Sequence, residues 1–253
     1  MSARVHTLEQ VAGGFDAAAE AERLNNLYDQ NSAEGALAAA REHFGDKLAI
    51  VSSFGSESAA LLHVASQVDK SIPVIFLDTG KLFGETKRYR AELTDLLGLS
   101  DVRIITPDAE SLAVQDPKGA LWADNTDSCC FHRKVLPLKK ALSGFDAWAS
   151  GRKRFHAGER TSLRQFDHSD GRVKVNPLAY WNHAEVEAYI ADKGLPGHPL
   201  VADGFLSIGC MPCTDRAEEG EDARAGRWRG RNKSECGIHL NFAQNVARLN
   251  ASK

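Results

Sequence analysis

Three short apolar runs, Leu48–Val51, Val74–Leu77 and Val102–Ile105, alternate with segments of helical pattern in the first half of the chain. Runs this short, bounded by polar loops, read as buried strands, and the intervening segments Ser32–Phe44, Ala59–Val68 and Phe83–Leu97 read as helices. Ser32 is placed to cap the first of these helices and Gly98 to stop the last. Alternation of this kind predicts an α/β fold: an open, mostly parallel twisted sheet with helices on both faces. Further on, Phe131–Leu142 reads as a helix that Pro137 should kink or end, Trp148–Gly151 and Arg172–Val175 as strands, and Ala184–Lys193 as a helix. From Glu218 to Glu235 apolar residues are scarce and Gly220, Gly226 and Gly230 punctuate a charged run, so the segment reads as mobile. The expected organisation is one α/β unit over residues 1–217 and a mobile C-terminal segment over 218–253. The first thirty or so residues suggest no role.

Apolar residues make up 43% of the 253 and charged residues 26%, as in a soluble globular protein. A net charge of −3 provides no global field toward nucleic acid or an anionic membrane, so any basic site must be local. No stretch approaches the roughly 18 apolar residues of a membrane span, and Met1–Ala21 lacks the pattern of a secretory signal. The expectation is a cytoplasmic protein with reduced thiols.

Ligands of open parallel sheets bind at the carboxyl ends of strands. There the first strand runs into Ser52-Ser53-Phe54-Gly55-Ser56-Glu57-Ser58, whose small residues let backbone N–H groups approach an anion at a helix N-terminus. An ordinary strand-to-helix turn with capping serines would look similar. The loop matches neither the Walker nor the dinucleotide-binding glycine pattern. Asp78-Thr79-Gly80 ends the second strand on the same rim, where Asp78 either serves a nucleotide pocket or caps the next turn.

Five cysteines divide into an adjacent pair, Cys129-Cys130, a C-x-x-C pair, Cys210 and Cys213, and a single Cys236. In a reducing compartment two such pairs read as zinc or an iron–sulfur cluster. Adjacent side chains on a helix diverge by roughly 100°, which suits a cubane with a separate iron for each sulfur better than one tetrahedral ion. Colour separates the two, since iron–sulfur proteins are brown. Cys236 would remain free to react.

Cys129-Cys130-x-x-Arg133-Lys134, Cys210-x-x-Cys213 and Glu235-Cys236-Gly237-Ile238-His239 together resemble the assimilatory adenylylsulfate (APS) reductases. Ser53-Phe54-Gly55-Ser56-Glu57-Ser58 resembles the modified PP-loop of that family, Asp78-Thr79-Gly80-Lys81-Leu82-Phe83-Gly84-Glu85-Thr86 its D-T-G-x-L-F-x-E-T segment, and Arg224-Ala225-Gly226-Arg227-Trp228 its R-x-G-R-W. The resemblance implies an adenine nucleotide α-hydrolase-like (PP-loop) domain and a 4Fe-4S cluster on Cys129, Cys130, Cys210 and Cys213. It also implies a nucleophile at Cys236, which would take the sulfonyl group of APS as an S-sulfocysteine, release AMP, and then yield sulfite to thioredoxin through a transient mixed disulfide. Ser52, Ser53, Gly55, the Leu77 backbone and Asp78 would contact the nucleotide. The four cluster cysteines favour APS over the 3′-phosphorylated substrate (PAPS).

Such chemistry needs cations. A thiol with pKa near 8.5 costs about 2 kcal/mol to ionise at pH 7, and two unit charges at 4 Å repel by about 4 kcal/mol at an effective dielectric of 20. Lys134, beside the adjacent cysteines, is one candidate; Arg224 and Arg227, which the resemblance implies would clamp the phosphosulfate, are two more, with Arg160 on the phosphate side, although composition alone would leave each as a solvated surface charge. The competing readings are a PAPS reductase, another PP-loop enzyme that uses ATP, and a non-catalytic metal-binding nucleic-acid module, which the acidic balance and absence of a basic stripe disfavour. A homo-oligomer is left open.

Overall fold

The computed structural model describes residues 15–28, 32–156, 160–218, 220–231, 233 and 235–251. Helices α1 (Ala17–Tyr28) and α2 (Ala33–Phe44) precede β1 (Leu48–Val51), and then α3 (Ser58–Val68), β2 (Val74–Leu77), α4 (Gly84–Leu97) and β3 (Val102–Ile105) follow in alternation. Ser32 caps α2 by accepting the Gly35 N–H at 3.0 Å, and Gly98 closes α4 in the left-handed region at φ +63°. Short helices α5 (Ala109–Gln115), α6 (Leu121–Asp124) and α7 (Thr126–Cys130) lead to α8 (Leu136–Ala141) and β4 (Ala147–Ala149). A hairpin of β5 (Phe166–Ser169) and β6 (Arg172–Val175), then α9 (His183–Asp192) and α10 (Phe242–Ala251), complete the elements.

The sheet order is β3-β2-β1-β4-β6-β5, parallel except for β5 against β6. Side chains alternate across a strand, so each four-residue run serves two cores. Leu48 and Ile50, with Val74 and Phe76, pack among α2, α3 and α4, whereas Ala49, Val51 and Ile75 meet Leu138, Leu142 and Trp148 on the opposite face. Complete burial of side chains such as Leu48 and Ile50 contributes about 1.5–3 kcal/mol each. The chain fills one half of the sheet through β3 and then returns to β4 on the other side of β1. That reversal opens a crevice at the carboxyl ends of β1 and β4.

Several expectations change. The expected helix Phe131–Leu142 begins earlier, at Thr126, and passes through a π-helical turn over Phe131–Val135 into α8. Pro137 therefore does not end it: the widened turn just before the proline accommodates its missing N–H. The expected strand at Trp148–Gly151 covers Ala147–Ala149, which leaves Ser150 and Gly151 on the rim as loop. Helices α1, α5, α6 and α10 and strand β5 lie outside the expected elements, α10 within the segment expected to be mobile; the hairpin turns at Asp170 and Gly171, with φ of +50° and +72°. Among the described residues no helix is long and apolar enough to cross a membrane.

Candidate active site

A cavity of about 200 Å³ lies over the carboxyl ends of β1, β2 and β4. Ser52, Ser53, Gly55 and Leu77 all line it. The loop after β1 is shaped by Phe54, which holds φ +49° because its ring is wholly buried and packs edge-on against Phe76 at 5.4 Å. The Ser52 hydroxyl accepts the Phe54 N–H at 3.2 Å, and a Cβ on Gly55 would come within 3.2 Å of the Ile208 carbonyl. The result is a small-residue loop running directly into α3. Asp78 is not among the lining residues. Its carboxylate pairs with Lys87 at 2.8 Å and accepts the Gly80 N–H at 3.0 Å. Burial opposes its charge, but Lys87 and the Gly80 amide outweigh burial and hold the carboxyl below its ordinary pKa.

The same cavity gathers Cys236 with Lys134, Arg160, Arg224 and Arg227. Arg227 crosses Gly209, where any Cβ would collide with the guanidinium, and stacks on Trp228 at 4.4 Å. Burial lowers the Arg224 pKa first, and Arg160 adds to the effect. Glu235 pairs with Arg160 at 2.6 Å and with Arg224 at 3.6 Å.

Arg152 and Lys153 also line the cavity and were not anticipated, although both lie on the rim just beyond β4. Lys153 is 2% exposed and pairs with Glu57 at 2.6 Å. His239 also lines the cavity. Its ring stacks on Trp148 at 5.7 Å, and its buried Nδ1 finds no hydrogen-bond partner among the described residues. Burial, reinforced by Arg152 and Lys174, keeps this imidazole neutral by lowering its pKa far below the ordinary value. A neutral ring with an unsatisfied nitrogen can exchange a hydrogen bond with whatever fills the cavity.

All five cysteines are free thiols. Cys129, Cys130, Cys210 and Cys213 border one small pocket of about 10 Å³, together with Lys134, Arg133, Arg227 and Trp228. The Thr79 hydroxyl lies 3.2 Å from the Cys210 sulfur. Burial works to raise the Cys210 pKa, but Lys134, Thr79 and Arg227 outweigh it and lower the thiol. Burial raises Cys129 to about 11 and also raises Cys130 and Cys213. Among the described residues no three potential ligands converge closely enough to hold a single metal ion. Lys134 borders both pockets. Burial opposes its charge, but Cys210, Cys236 and Cys130 more than compensate and raise its pKa.

The phosphoadenosine phosphosulfate reductase domain matches residues 47–216. An adenosine 5′-phosphosulfate reductase of Mesorhizobium japonicum is 46% identical over 242 residues, covering 95% of each chain. A phosphoadenosine 5′-phosphosulfate reductase of Gloeobacter violaceus is 38% identical over 240 residues, covering 91% of this chain and 98% of that protein. Among solved structures, the phosphoadenylyl-sulfate reductase of Candida auris superposes with a TM-score of 0.68 at 26% identity, over 80% of this chain and 100% of that one. The FMN adenylyltransferase of Candida glabrata shares the fold, with a TM-score of 0.55 at 14% identity over 95% of this chain and 86% of that one.

Proposed function

The chain belongs to the phosphoadenosine phosphosulfate reductase domain family, and from that membership we propose that it reduces adenosine 5′-phosphosulfate to sulfite and AMP in sulfate assimilation. The observation that carries this reading is the convergence of Cys236, Lys134, Arg160, Arg224 and Arg227 on one cavity at the carboxyl ends of the sheet. Six lining cations (Lys134, Arg152, Lys153, Arg160, Arg224 and Arg227) face only two lining carboxylates, Glu57 and Glu235, which suits an anionic ligand. The small-residue loop suits its nucleotide end.

In the proposed reaction the Cys236 thiolate attacks the sulfur of the phosphosulfate. The S–O bond to the phosphate breaks, AMP departs with that electron pair, and Cys236 carries the sulfonyl group. A thiolate of thioredoxin then attacks the Cys236 sulfur and sulfite leaves with the S–S bonding electrons. The second thiol of the reductant resolves the mixed disulfide, so the two electrons come from thiols. Lys134, Arg224 and Arg227 offset the repulsion between thiolate and substrate, and neutral His239 can hydrogen-bond a sulfonyl oxygen without adding charge. Because Cys236 must serve both a buried sulfur and a protein thiol, we read residues 218–253 as a segment that closes over substrate and opens for the reductant.

The residues fit a 4Fe-4S cluster on Cys129, Cys130, Cys210 and Cys213: four free sulfurs border one pocket with basic neighbours, and a cubane does not require them to converge on one point. When bound, such a cluster would supply a fixed charge and a cross-link between α7 and the Cys210–Cys213 turn. A reducing, cytoplasmic location follows from this use of thiols.

The test is release of sulfite and AMP from APS with reduced thioredoxin, run beside PAPS and ATP, with iron and acid-labile sulfide measured on the same anaerobic sample. Mass spectrometry should find added SO3 on Cys236 and none on Cys236→Ser. Preference for PAPS would move the chain to the activity named for its Gloeobacter violaceus relative. Product from ATP alone would overturn the reading.

A further inference from the structure

We propose that Glu235 is an internal substitute for the anionic substrate, holding Arg160 and Arg224 until phosphosulfate displaces it. This rests on the functional reading above and concerns how the same site is filled. Glu235 immediately precedes Cys236 and is 8% exposed. Its Oε1 accepts from Arg160 Nε at 2.6 Å and lies 2.6 Å from Arg160 Nη2, and its Oε2 is 3.6 Å from Arg224. Both arginines line the cavity, and mutual repulsion helps lower the Arg224 pKa. Two guanidinium groups brought together out of water need a counter-anion. In the free protein Glu235 supplies it.

The substrate brings its own anion to the same pair of guanidinium groups. Once it is bound, the Glu235 carboxylate becomes a like charge beside it and loses its partners. Because Glu235 and Cys236 are consecutive, the exchange cannot happen without moving the backbone that carries the nucleophile. Filling of the cavity is thereby coupled to the position of Cys236. Glu235 acts here as a positioning residue and does not enter the chemistry.

The experiment measures APS affinity by calorimetry in a Cys236→Ser background, where no adduct forms. Removing the internal competitor should tighten binding: Glu235→Gln and Glu235→Ala should each bind APS about tenfold more tightly than the parent. Acetate, which returns a carboxylate to the pocket, should weaken APS binding to Glu235→Ala while leaving the parent unchanged. Equal or weaker binding in folded Glu235→Gln would overturn the proposal. Should both substitutions prevent folding, Glu235→Asp in the same background decides. Its shorter carboxylate holds Arg160 and Arg224 less closely, so it should bind APS more tightly than the parent, and equal or weaker binding would refute the exchange. Sulfite release by the wild-type enzyme together with unimproved binding in the variants would sink only this inference. Absence of sulfite release would sink the functional reading itself.

Discussion

Lys233 forms an ion pair with Asp127, and that contact ties the segment leading to Cys236 to the helix carrying Cys129 and Cys130. The Lys233 side chain is 5% exposed, and Asp127 lies two residues before Cys129. Nearby, Arg231 donates to the Thr126 hydroxyl at 2.6 Å and stacks over Trp122. On the other side, Thr214 bridges Arg227, and the Trp228 N–H donates to the Cys213 carbonyl at 3.2 Å. One segment thus contacts the helix of Cys129 and Cys130 and the Cys210–Cys213 turn before it reaches Cys236. Asp127→Asn should cost about 1–3 kcal/mol, the range for a charged hydrogen bond lost at a mostly buried site. It should also speed tryptic cleavage after Arg231 and slow adduct formation. The exposed pair Arg229–Glu221 is the control, and Glu221→Gln should change stability by less than about 1 kcal/mol. Equal cleavage rates in both variants would argue against the tether.

Gly209→Ala offers a test of Arg227 that leaves Arg227 in the sequence. The new methyl would occupy the place of the guanidinium, which is the far end of a flexible side chain and can swing away. The fold should survive while the cavity loses a cation. Loss of one charge-assisted hydrogen bond, about 1.5–3 kcal/mol, corresponds to about tenfold to hundredfold weaker APS binding. Arg227→Ala should weaken binding to a similar degree, and the double variant should add little to either. Additive losses would mean that Gly209 acts elsewhere.

The core strands were legible because their burial is simple. Leu48–Val51 is buried on both faces, and four consecutive apolar residues announce that. Strand β5 hid because Phe166-Asp167-His168-Ser169 lies at a sheet edge, with Phe166 as its buried residue. Helix α1 buries only a narrow stripe, Ala17, Ala21, Leu24 and Asn25, too sparse to stand out in an alanine-rich stretch. At the site, residues with a distinctive type and spacing, the cysteines and the R-x-G-R-W arginines, could be found in advance. Arg152 and Lys153 follow the carboxyl end of β4 as the Ser52–Ser58 loop follows that of β1, so strand position is their only signal. The Glu235–Arg160 pair spans 75 residues and had no local signal, since only the fold brings the two together.

Removing one cysteine from the quartet should separate its role from that of Cys236. Cys130→Ala should lose brown colour, iron and acid-labile sulfide together. Cys130 follows Asp127 on α7, so this loss should also loosen the tether and expose the tail to protease. Cys236→Ser should keep full iron content. An iron-replete Cys130→Ala protein would remove that residue from the ligand set, and iron loss in Cys236→Ser would mix two groups of sulfurs that have been given distinct tasks.

Acid should destabilise the fold in part through His198. This ring is 1% exposed, its Nδ1 accepts the Leu200 N–H at 3.2 Å, and its Nε2 lies 3.0 Å from the Thr86 hydroxyl. With Nδ1 accepting, the proton sits on Nε2 and is donated to Thr86, so a second proton would have to enter against the Leu200 amide. Burial is the main cause that brings the pKa down to about 4, with Glu85 opposing weakly. The unfolded chain takes up this proton near pH 6.5 and the folded one only near 4. In that window the unfolded state binds more protons, so stability falls as pH falls. A shift of this size amounts to about 3 kcal/mol, absent above pH 6.5 and fully expressed below pH 4. Urea midpoints at pH 7 and pH 4.5 should therefore differ more for the wild type than for His198→Gln, which carries no titrating group. The variant should itself be less stable at pH 7 by about 1–3 kcal/mol, the cost of disturbing two buried hydrogen bonds. Parallel losses in both proteins would place the acid sensitivity elsewhere, in His239 or the carboxylate pairs.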